Sequence, residues 1–361
     1  MTLEDRLKAT IAAEGPLPLD AYMRAALFDP EQGYYTTAEP FGAQGDFITS
    51  PEISQMFGEL LGLWLADMWH RLGRPDDLVL AEAGPGRGTL MADALRAISR
   101  AAPEMLADRP VWLLEASPRL QAIQRQRLAG HDIRFATIFD ELPDGTLLLL
   151  ANEFLDALPV RQVVRRGSGF AEIGVGVADG ALVPVEGPVT GPLPDDMPGI
   201  GDGEIFEFSE EARAFARILG GQIAADGGAA LLVDYGHGES AAGDTLQAVK
   251  AHRFHPVLAA PGTADLTTHV DFAAIARAAM ALGARAFGPL GQRVLLGRLG
   301  IEARLAQLVA GADAATREGL VEGYRRLTDP DRMGHLFKAL CITDSRLEAP
   351  TAYEPDEAFR G

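Results

Sequence analysis

The sequence predicts an α/β protein whose largely parallel sheet is covered by helices on both faces. Strand-like apolar runs alternate with helix-like segments from residue 78 onward, and the first four runs are LVLAEAG, VWLLEAS, IRFATI and TLLLLANE. Such alternation is typical of a parallel sheet wrapped by helices. A glycine-rich turn follows the first run, and acidic residues end the second and fourth runs. Because ligands bind outside the carboxyl ends of parallel strands, the same observations predict a ligand site there.

Residues 1–77 predict a helical extension with a loop, TTAEPFGAQGDFITSPE, between its helices. Thr49 or Ser50 suits the N-cap of the helix that follows the loop, and Pro51 suits its first turn. This helix has an apolar face, so we expect it to contact the main domain. The face consists of Ile53, Phe57, Leu60, Leu61, Trp64 and Met68.

The pattern changes after Pro159. The run RQVVRRGSGFAEIGVGVADGALVPV alternates like antiparallel strands, and a loop rich in glycine and proline follows it. We therefore predict a β-rich insertion over residues 157–203 and a core formed by residues 78–156 and 204–361. The core resumes with a helix, SEEARAFARILGGQIAA, and a strand, GAALLVDYG. A short strand near ARAFG and a closing antiparallel strand, FKALCIT, complete a predicted sheet of seven strands.

Composition and charge exclude several classes of function. The net charge of −19 argues against a nucleic-acid partner. The one cysteine, Cys341, excludes an internal disulfide and a cysteine-rich zinc site, and we expect it to be buried. The histidines show no ligand spacing, so we predict no metal. No apolar run approaches the roughly 20 residues that span a bilayer, and no signal peptide or presequence is recognisable, so we expect a cytoplasmic protein without membrane insertion.

The glycine-rich turn lies in LVLAEAGPGRGTL, where Gly84, Gly86 and Gly88 join a strand to a helix. Glycine permits positive φ and a close approach of ligand to backbone, and the helix N-terminus offers free N–H groups. A dinucleotide-binding turn would have a further glycine at position 89, but this chain has Thr89. The turn therefore predicts a nucleoside ligand other than a dinucleotide.

Two acids near this turn favour S-adenosylmethionine over NAD. Glu82 precedes the first glycine by two residues, where its carboxylate would repel a pyrophosphate and attract a cationic amino-acid ligand. S-adenosylmethionine carries an ammonium and a sulfonium and has no phosphate. Glu115 ends the second strand, at the position where a carboxylate accepts hydrogen bonds from ribose hydroxyls. The alternative is a tight turn between strand and helix with two incidental acids.

The fourth strand runs into a polar cluster in LLLLANEFLDALPV, where Asn152, Glu153 and Asp156 follow four leucines. Paired carboxylates orient the planar fork of a guanidinium and help to take up its departing proton. We therefore predict that Glu153 and Asp156 are catalytic residues that act on a cationic acceptor. The alternatives are that Glu153 pairs with a core arginine and that Asp156 caps a turn.

Two further segments supply weaker candidates. VDYGHG places Asp234, Tyr235 and His237 after the fifth strand, and His237 is a candidate base near neutral pH. A loop histidine held by hydrogen bonds is the alternative. TADLTTHVDF contributes Asp265 and His269 with the same two interpretations.

Five motifs together resemble the MidA-like proteins, a family of class I S-adenosylmethionine-dependent methyltransferases of bacteria and mitochondria. The motifs are GDFITSPEISQMFGELLG, AEAGPGRGTL, LANEFLDALPV, the segment with DYGH and TLQA, and PGTADLTTHVDF. The resemblance implies a Rossmann-like class I methyltransferase fold with a seven-stranded sheet, here with an N-terminal extension and an inserted β-rich subdomain. Mitochondrial members of this family assemble respiratory complex I and dimethylate an arginine symmetrically on a matrix-arm subunit.

The resemblance also implies a cofactor site and a loop, GDFITSPE, that folds over the cofactor. One departure concerns the substrate, because Gly288-Pro289-Leu290-Gly291-Gln292 stands where the family has a polar Gly-Pro-x-Thr-Gln-type run. The predicted cofactor-binding residues are Glu82, Gly84, Pro85, Gly86, Gly88, Thr89, Glu115 and Asn152, together with Asp46, Thr49 and Ser50 from the loop.

The leading functional hypothesis is a protein-arginine N-methyltransferase that uses S-adenosyl-L-methionine and acts on a complex I subunit during assembly. One alternative keeps the cofactor but has another protein side chain or a small molecule as acceptor. A second alternative is a non-catalytic, chaperone-like assembly protein, which the intact glycine turn argues against. The resemblance favours a bacterial cytoplasmic homologue of proteins of the mitochondrial matrix, with a homodimer as an open alternative to a monomer.

Overall fold

The computed structural model describes residues 1–37 and 49–360. The described chain forms two compact units. The first comprises residues 1–37, 156–214 and 239–274, and the second comprises residues 49–155, 215–238 and 275–360.

The described helices lie in both units and alternate with strands through much of the chain. They are α1 (Leu3–Glu14), α2 (Leu19–Phe28), α3 (Tyr34–Thr37), α4 (Ser50–Ile53), α5 (Gln55–Arg71), α6 (Thr89–Ala101), α7 (Pro118–Arg127), α8 (Glu210–Asp226), α9 (Phe272–Met280), α10 (Gln292–Arg298), α11 (Ile301–Ala310) and α12 (Ala314–Thr328). Short helical turns of other types cover Pro103–Leu106, Phe139–Glu141, Pro330–Gly334 and Pro355–Glu357.

The described strands belong to three sheets. They are β1 (Leu17–Pro18), β2 (Val79–Ala83), β3 (Val111–Leu114), β4 (Ile133–Ala136), β5 (Leu147–Asn152), β6 (Arg161–Arg166), β7 (Gly169–Ala178), β8 (Ala181–Gly187), β9 (Ile205–Phe208), β10 (Gly228–His237), β11 (Gln247–Lys250), β12 (Arg253–His255), β13 (Asp265–Thr267), β14 (Val270–Asp271), β15 (Arg285–Gly291) and β16 (Phe337–Thr343).

The second unit contains the seven strands that the sequence predicted, in the order β15-β16-β10-β5-β2-β3-β4, and β14 makes this sheet eight-stranded by pairing with β10. Strands β4, β3, β2, β5 and β10 are parallel, and β16 is antiparallel to both of its neighbours. The four leucines of β5 are fully buried, and so is Cys341 in β16. The alternation of strands and helices, the closing antiparallel strand and the buried cysteine are therefore confirmed.

Helix α5 covers this sheet, as predicted. Its apolar face belongs to one continuous core with α6 and with residues of β2 and β5. Two glycines allow the close approach of α5 and α6: a Cβ at Gly62 would lie 2.5 Å from the Ala94 carbonyl oxygen, and one at Gly58 would lie 2.6 Å from the Asp93 Cβ. The hydrophobic face of the helix therefore determines where it packs, and the glycines determine how closely.

We predicted a single helix that begins at Thr49 or Ser50, and this prediction is wrong because the structure has two helices, α4 and α5, in this segment. Thr49 occupies the N-cap position of α4 without a side-chain hydrogen bond, and α4 ends after four residues. Ser54 is extended (φ −159°, ψ 135°), and its hydroxyl accepts a hydrogen bond of 3.3 Å from the Met56 amide. A serine that caps a new helix competes with continuation of the old one, which is why the segment divides here.

The first unit is rich in antiparallel pairing. Strands β1, β7, β6 and β9 form one sheet, to which β8 adds by pairing with β7. A smaller sheet has the order β12-β11-β13. The antiparallel pairing predicted from alternation after Pro159 is confirmed, since β6, β7 and β8 pair in this way. The predicted insertion, residues 157–203, lies within this unit. Residues 49–77 of the predicted extension lie in the second unit. The functional domain boundaries stay a prediction.

Candidate functional site

The turn between β2 and α6 has the conformation that its glycines allow. Gly84, Gly86 and Gly88 have φ values of 64°, 51° and 77°. Pro85 closes the turn, because its carbonyl oxygen accepts a hydrogen bond of 2.7 Å from the Gly88 amide. A Cβ at Gly84 would lie 2.8 Å from a ring carbon of Phe154, so glycine is required there for both conformation and space.

Glu82 is buried beside this turn, at 2% exposure. The Met91 amide, in the first turn of α6, donates to its carboxyl group. The second oxygen, Oε2, has no hydrogen-bond partner among the described residues. Burial raises the pKa of Glu82 to about 8. A buried carboxyl oxygen without a protein partner fits a ligand that brings its own donor, such as an ammonium group.

Glu115 follows β3 and is connected to the glycine turn through Gln124, a residue that the sequence analysis missed. Gln124 Nε2 donates to the Gly86 carbonyl oxygen (2.7 Å) and to Glu115 Oε2 (3.1 Å), while the Ser117 amide donates to Glu115 Oε1 (2.8 Å). Gln124 is fully buried, and its Oε1 has no partner within the described ranges. Burial raises the pKa of Glu115. A glutamine inside α7 carries no sequence signal, because its role depends on which strand end the helix faces.

Thr89 lies in a polar network at the start of α6. Its hydroxyl donates to Glu52 and accepts from Arg127, and Arg127 lies 3.6 Å from Glu52. The residue that replaces the glycine of a dinucleotide turn therefore connects α4 to α6 and α7. Its predicted contact with a cofactor stays a prediction.

Glu153 adopts a backbone conformation that residues other than glycine rarely have, with φ at 51°. The Ser50 amide (2.9 Å) and Asn152 Nδ2 (3.0 Å) both donate to its Oε1. Burial of the carboxyl group raises the pKa of Glu153 to about 7, although these donors and the charge of Arg326 act in the opposite direction. The structure thus brings together three predicted residues: Ser50, Asn152 and Glu153.

The surroundings of these residues explain how they are held. Asn152 is buried, and its Oδ1 has no hydrogen-bond partner in the part of the chain that the structure describes. Ser50 is fully buried, and its hydroxyl lies 3.4 Å from Gln292 Oε1. Gln292 in turn donates to the Leu327 carbonyl oxygen. The segment that departs from the family's run thus ends in a glutamine that supports the Ser50–Glu153 contact.

Asp234 was only a weak candidate in the sequence, and the structure gives it a defined structural role. It is 1% exposed. Its Oδ2 accepts hydrogen bonds from the amides of Phe154 (3.2 Å) and Leu155 (2.9 Å), and its Oδ1 accepts from the Tyr235 amide (2.9 Å). The loop after β5 is therefore fixed by a carboxylate from β10.

Asp156 belongs to the first unit and is buried, at 5% exposure. Its carbonyl oxygen accepts from the Thr268 amide at 3.0 Å. In the same unit, the Tyr35 hydroxyl donates to both carboxylate oxygens of Asp265, at 2.9 and 3.1 Å. Burial raises the pKa of Tyr35 well above its usual value, and the charges of Asp265 and Asp156 add to the shift. The predicted pairing of Asp156 with Glu153 stays a prediction.

Two further predicted residues, His237 and Asp46, and the predicted lack of a metal site and of a membrane span remain to be compared with the structure. His237 is the last residue of β10 and is partly buried, and no hydrogen bond within the described ranges joins it to Glu153. Asp46 lies outside the described residues. Over residues 1–37 and 49–360, no group of three or more His, Cys, Asp and Glu residues is arranged to hold a metal ion. In the same ranges, none of the helices has the length and apolar character needed to cross a membrane.

Comparison with known proteins extends over nearly the whole chain. Residues 60–290 match a family described as "Putative S-adenosyl-L-methionine-dependent methyltransferase". The chain is 37% identical to the Drosophila melanogaster protein named "Protein arginine methyltransferase NDUFAF7 homolog, mitochondrial", over 96% of this chain and 86% of the relative. It is 35% identical to the human protein named "Protein arginine methyltransferase NDUFAF7, mitochondrial", over 92% of this chain and 81% of the relative.

A solved structure shows the same likeness in three dimensions. The structure is that of a protein from Burkholderia thailandensis bound to S-adenosyl-homocysteine. It is 29% identical in sequence and superimposes with a TM-score of 0.84, over 97% of this chain and 94% of that chain.

Proposed function

Because this chain belongs to the family of S-adenosyl-L-methionine-dependent methyltransferases, we propose that it is a protein-arginine N-methyltransferase. The similarity to relatives named protein arginine methyltransferase supports arginine as the acceptor and a protein as the substrate. The single observation that carries the proposal is Glu153. It has a carboxyl group with a pKa of about 7, it follows a parallel strand, and backbone and amide donors hold it in a strained conformation.

The predicted cofactor and reaction class are confirmed by the family match and by the structural neighbour with S-adenosyl-homocysteine. When bound, S-adenosyl-L-methionine supplies an electrophilic methyl group. We propose that the unpartnered Oε2 of Glu82 accepts from the ammonium of the ligand. The Gly84–Gly88 turn allows close approach of the backbone, and Glu115 with Gln124 binds the ribose hydroxyls.

In this proposal Glu153 acts on the guanidinium of the acceptor. The Ser50 amide and Asn152 Nδ2 hold the carboxyl group through Oε1, and in this arrangement it accepts from a guanidinium nitrogen. An arginine nitrogen must lose a proton when it gains a methyl group, and a carboxylate with a pKa near 7 takes up that proton at neutral pH. The role of Asp156 as a second catalytic carboxylate stays a prediction from the sequence.

The finer parts of the proposal come from the resemblance to MidA-like proteins. They are symmetric dimethylation, an acceptor on a respiratory complex I subunit, a homodimeric state and a role during assembly. The bacterial cytoplasm is the compartment that we propose, which the similarity to a Burkholderia thailandensis protein supports. The relatives from animals are named mitochondrial.

The test is methyl transfer from labelled S-adenosyl-L-methionine into a lysate of the source organism that lacks this gene, followed by mass spectrometry of the labelled protein. We expect label on arginine, and we expect Glu153→Gln to lower the initial rate by about 100-fold. The wild-type rate should rise with pH through about 7, and this rise should be absent in Glu153→Gln.

Glu318→Gln is the matched control, since this glutamate is exposed on α12 and should leave the rate unchanged. Label on lysine or on a metabolite would contradict the arginine proposal and leave the methyltransferase in place. A wild-type rate in Glu153→Gln would contradict the role of that residue.

A further inference from the structure

The segment that carries Glu153 needs external support for its conformation. Glu153 is in the left-handed region, with φ at 51°, at the end of β5. Its own amide donates to the Val233 carbonyl oxygen at 2.9 Å, which continues the pairing of Asn152 with Val233 between β5 and β10. After Glu153 the chain leaves the sheet, so the amides that follow need acceptors other than a strand.

Asp234 supplies those acceptors. It directly follows Val233 in β10, and its Oδ2 accepts from both amides that come next in the chain after Glu153, those of Phe154 and Leu155. Its Oδ1 accepts from the Tyr235 amide, so both carboxylate oxygens are used by the backbone. The side chain is 1% exposed, which makes each of these hydrogen bonds costly to lose.

We propose that Asp234 is a positioning residue for methyl transfer, which holds Glu153 at the angle required to receive the acceptor. This inference rests on the proposed role of Glu153. Asp234 acts through the backbone: it fixes the amides of residues 154 and 155, and this keeps the preceding residue in its left-handed conformation. The carboxylate of Glu153 then stays within reach of the Ser50 amide and of Asn152.

We call the three hydrogen bonds that Asp234 accepts from the amides of Phe154, Leu155 and Tyr235 the clamp. These hydrogen bonds require a carboxylate. Three backbone amides donate to Asp234, and they are divided between its two oxygens. Asparagine has the same shape but only one acceptor oxygen, and its NH₂ group would face an amide donor on the other side. Asp234→Asn therefore cannot accept from all three amides of the clamp, and it changes the volume of the side chain little.

The test is a double-mutant cycle on the initial rate of labelled methyl transfer into the same lysate, with Asp234→Asn, Glu153→Gln and the double variant. We expect Asp234→Asn to lower the rate about tenfold or more, because a misplaced catalytic group loses its alignment. The double variant should be as slow as Glu153→Gln alone, to within about twofold, because residues that act as one unit are not additive.

Two measurements separate positioning from a general loss of structure. S-adenosyl-homocysteine should bind Asp234→Asn in calorimetry with an affinity within about threefold of wild type, since the substitution changes no residue of the glycine turn. Hydrogen exchange should become faster at the amides of Phe154 and Leu155. Asp344→Asn is the matched control, because Asp344 is also a buried carboxylate that accepts a hydrogen bond from a backbone amide, that of Arg346. The rate of methyl transfer by this variant should equal that of the wild type.

Two results would overturn the inference while leaving the proposed function in place. One is a double variant whose rate falls by the product of the two single effects. The other is Asp234→Asn with a wild-type rate or with unchanged exchange at both amides. A wild-type rate in Glu153→Gln would instead remove the proposed role of Glu153, and the inference with it. If Asp234→Asn does not fold, the same cycle uses Asp234→Glu, which keeps both acceptor oxygens but displaces them by one methylene.

Discussion

At the scale of single residues, the chain places two partly or fully buried carboxyl groups at the ends of neighbouring parallel strands. Burial raises the pKa of Glu82 to about 8 and that of Glu153 to about 7. An ion of opposite charge lowers the cost of ionising such a group, so both carboxyls favour a cationic ligand. The ammonium of the cofactor and the guanidinium of the acceptor are the two cations that the proposed reaction supplies.

The ligand-free protein should become less stable as the pH rises through the window set by Glu82. Its folded pKa of about 8 lies above its ordinary value of 4.5, so the folded state binds the extra proton between these values. The contribution of Glu82 is therefore fully present below the unfolded pKa and is lost as the pH rises through about 8. Chemical denaturation at several pH values should show a shallower decrease in the free energy of unfolding for Glu82→Gln. An equally steep decrease in this variant would contradict the assignment.

At the scale of elements, local sequence patterns predicted whether a segment is a helix or a strand better than they predicted where it ends. The apolar face of α5 was sufficient to predict its contact with the sheet, because burial of that face outweighs local preference. The division between α4 and α5 was not predicted, since both Thr49 and Ser54 have side chains suited to an N-cap. Only Ser54 makes the hydrogen bond, and the sequence pattern does not rank the two.

The close packing of α5 on α6 predicts opposite effects for two glycine substitutions. Gly62→Ala should lower the free energy of unfolding by about 1–3 kcal/mol, because the new methyl would lie 2.5 Å from the Ala94 carbonyl oxygen. Gly319→Ala in α12 is the control: a Cβ there meets nothing within 4 Å, and alanine should stabilise the helix by about 0.5–1 kcal/mol. Thermal or urea unfolding measures both. If Gly62→Ala stabilised the protein as much as Gly319→Ala, α5 and α6 would be able to move apart without loss of stability, which would contradict the prediction.

At the scale of the whole molecule, a single chain combines a parallel methyltransferase sheet with an antiparallel, β-rich unit. Each unit has its own buried core. The first unit is assembled from three separate stretches of sequence, so its strands pair with partners far away in the chain, such as β1 with β7. Glu82, Glu115 and Gln124, which we propose to bind the cofactor, lie in the second unit, whereas Asp156 lies in the first.

Ligand binding should report the cofactor class through the stability of the whole chain. S-adenosyl-homocysteine at about 100 times its Kd should raise the free energy of unfolding by about 2.7 kcal/mol. NAD at the same concentration should give no increase, because Thr89 stands where a dinucleotide-binding turn has its further glycine. Differential scanning calorimetry measures both, and stabilisation by NAD would contradict this interpretation of the turn.

The sequence by itself determined the local features: the buried leucines of β5, the strand and helix alternation, the glycine turn and the acids at the strand ends. These features depend on periodicity and on residues within a few positions of one another, which a sequence displays directly. They were sufficient to predict the sheet, the cofactor and the reaction class.

Only the tertiary structure decided which distant groups meet. Gln124 bridges Gly86 and Glu115, Ser50 donates to Glu153 from 103 positions away, and Asp234 fixes a loop 80 positions before it. Such contacts depend on strand order, on register and on the direction in which each helix faces the sheet, and no short pattern contains that information. The candidate residues were therefore readable in the sequence, whereas the hydrogen bonds that hold them in place became visible only once the chain was folded.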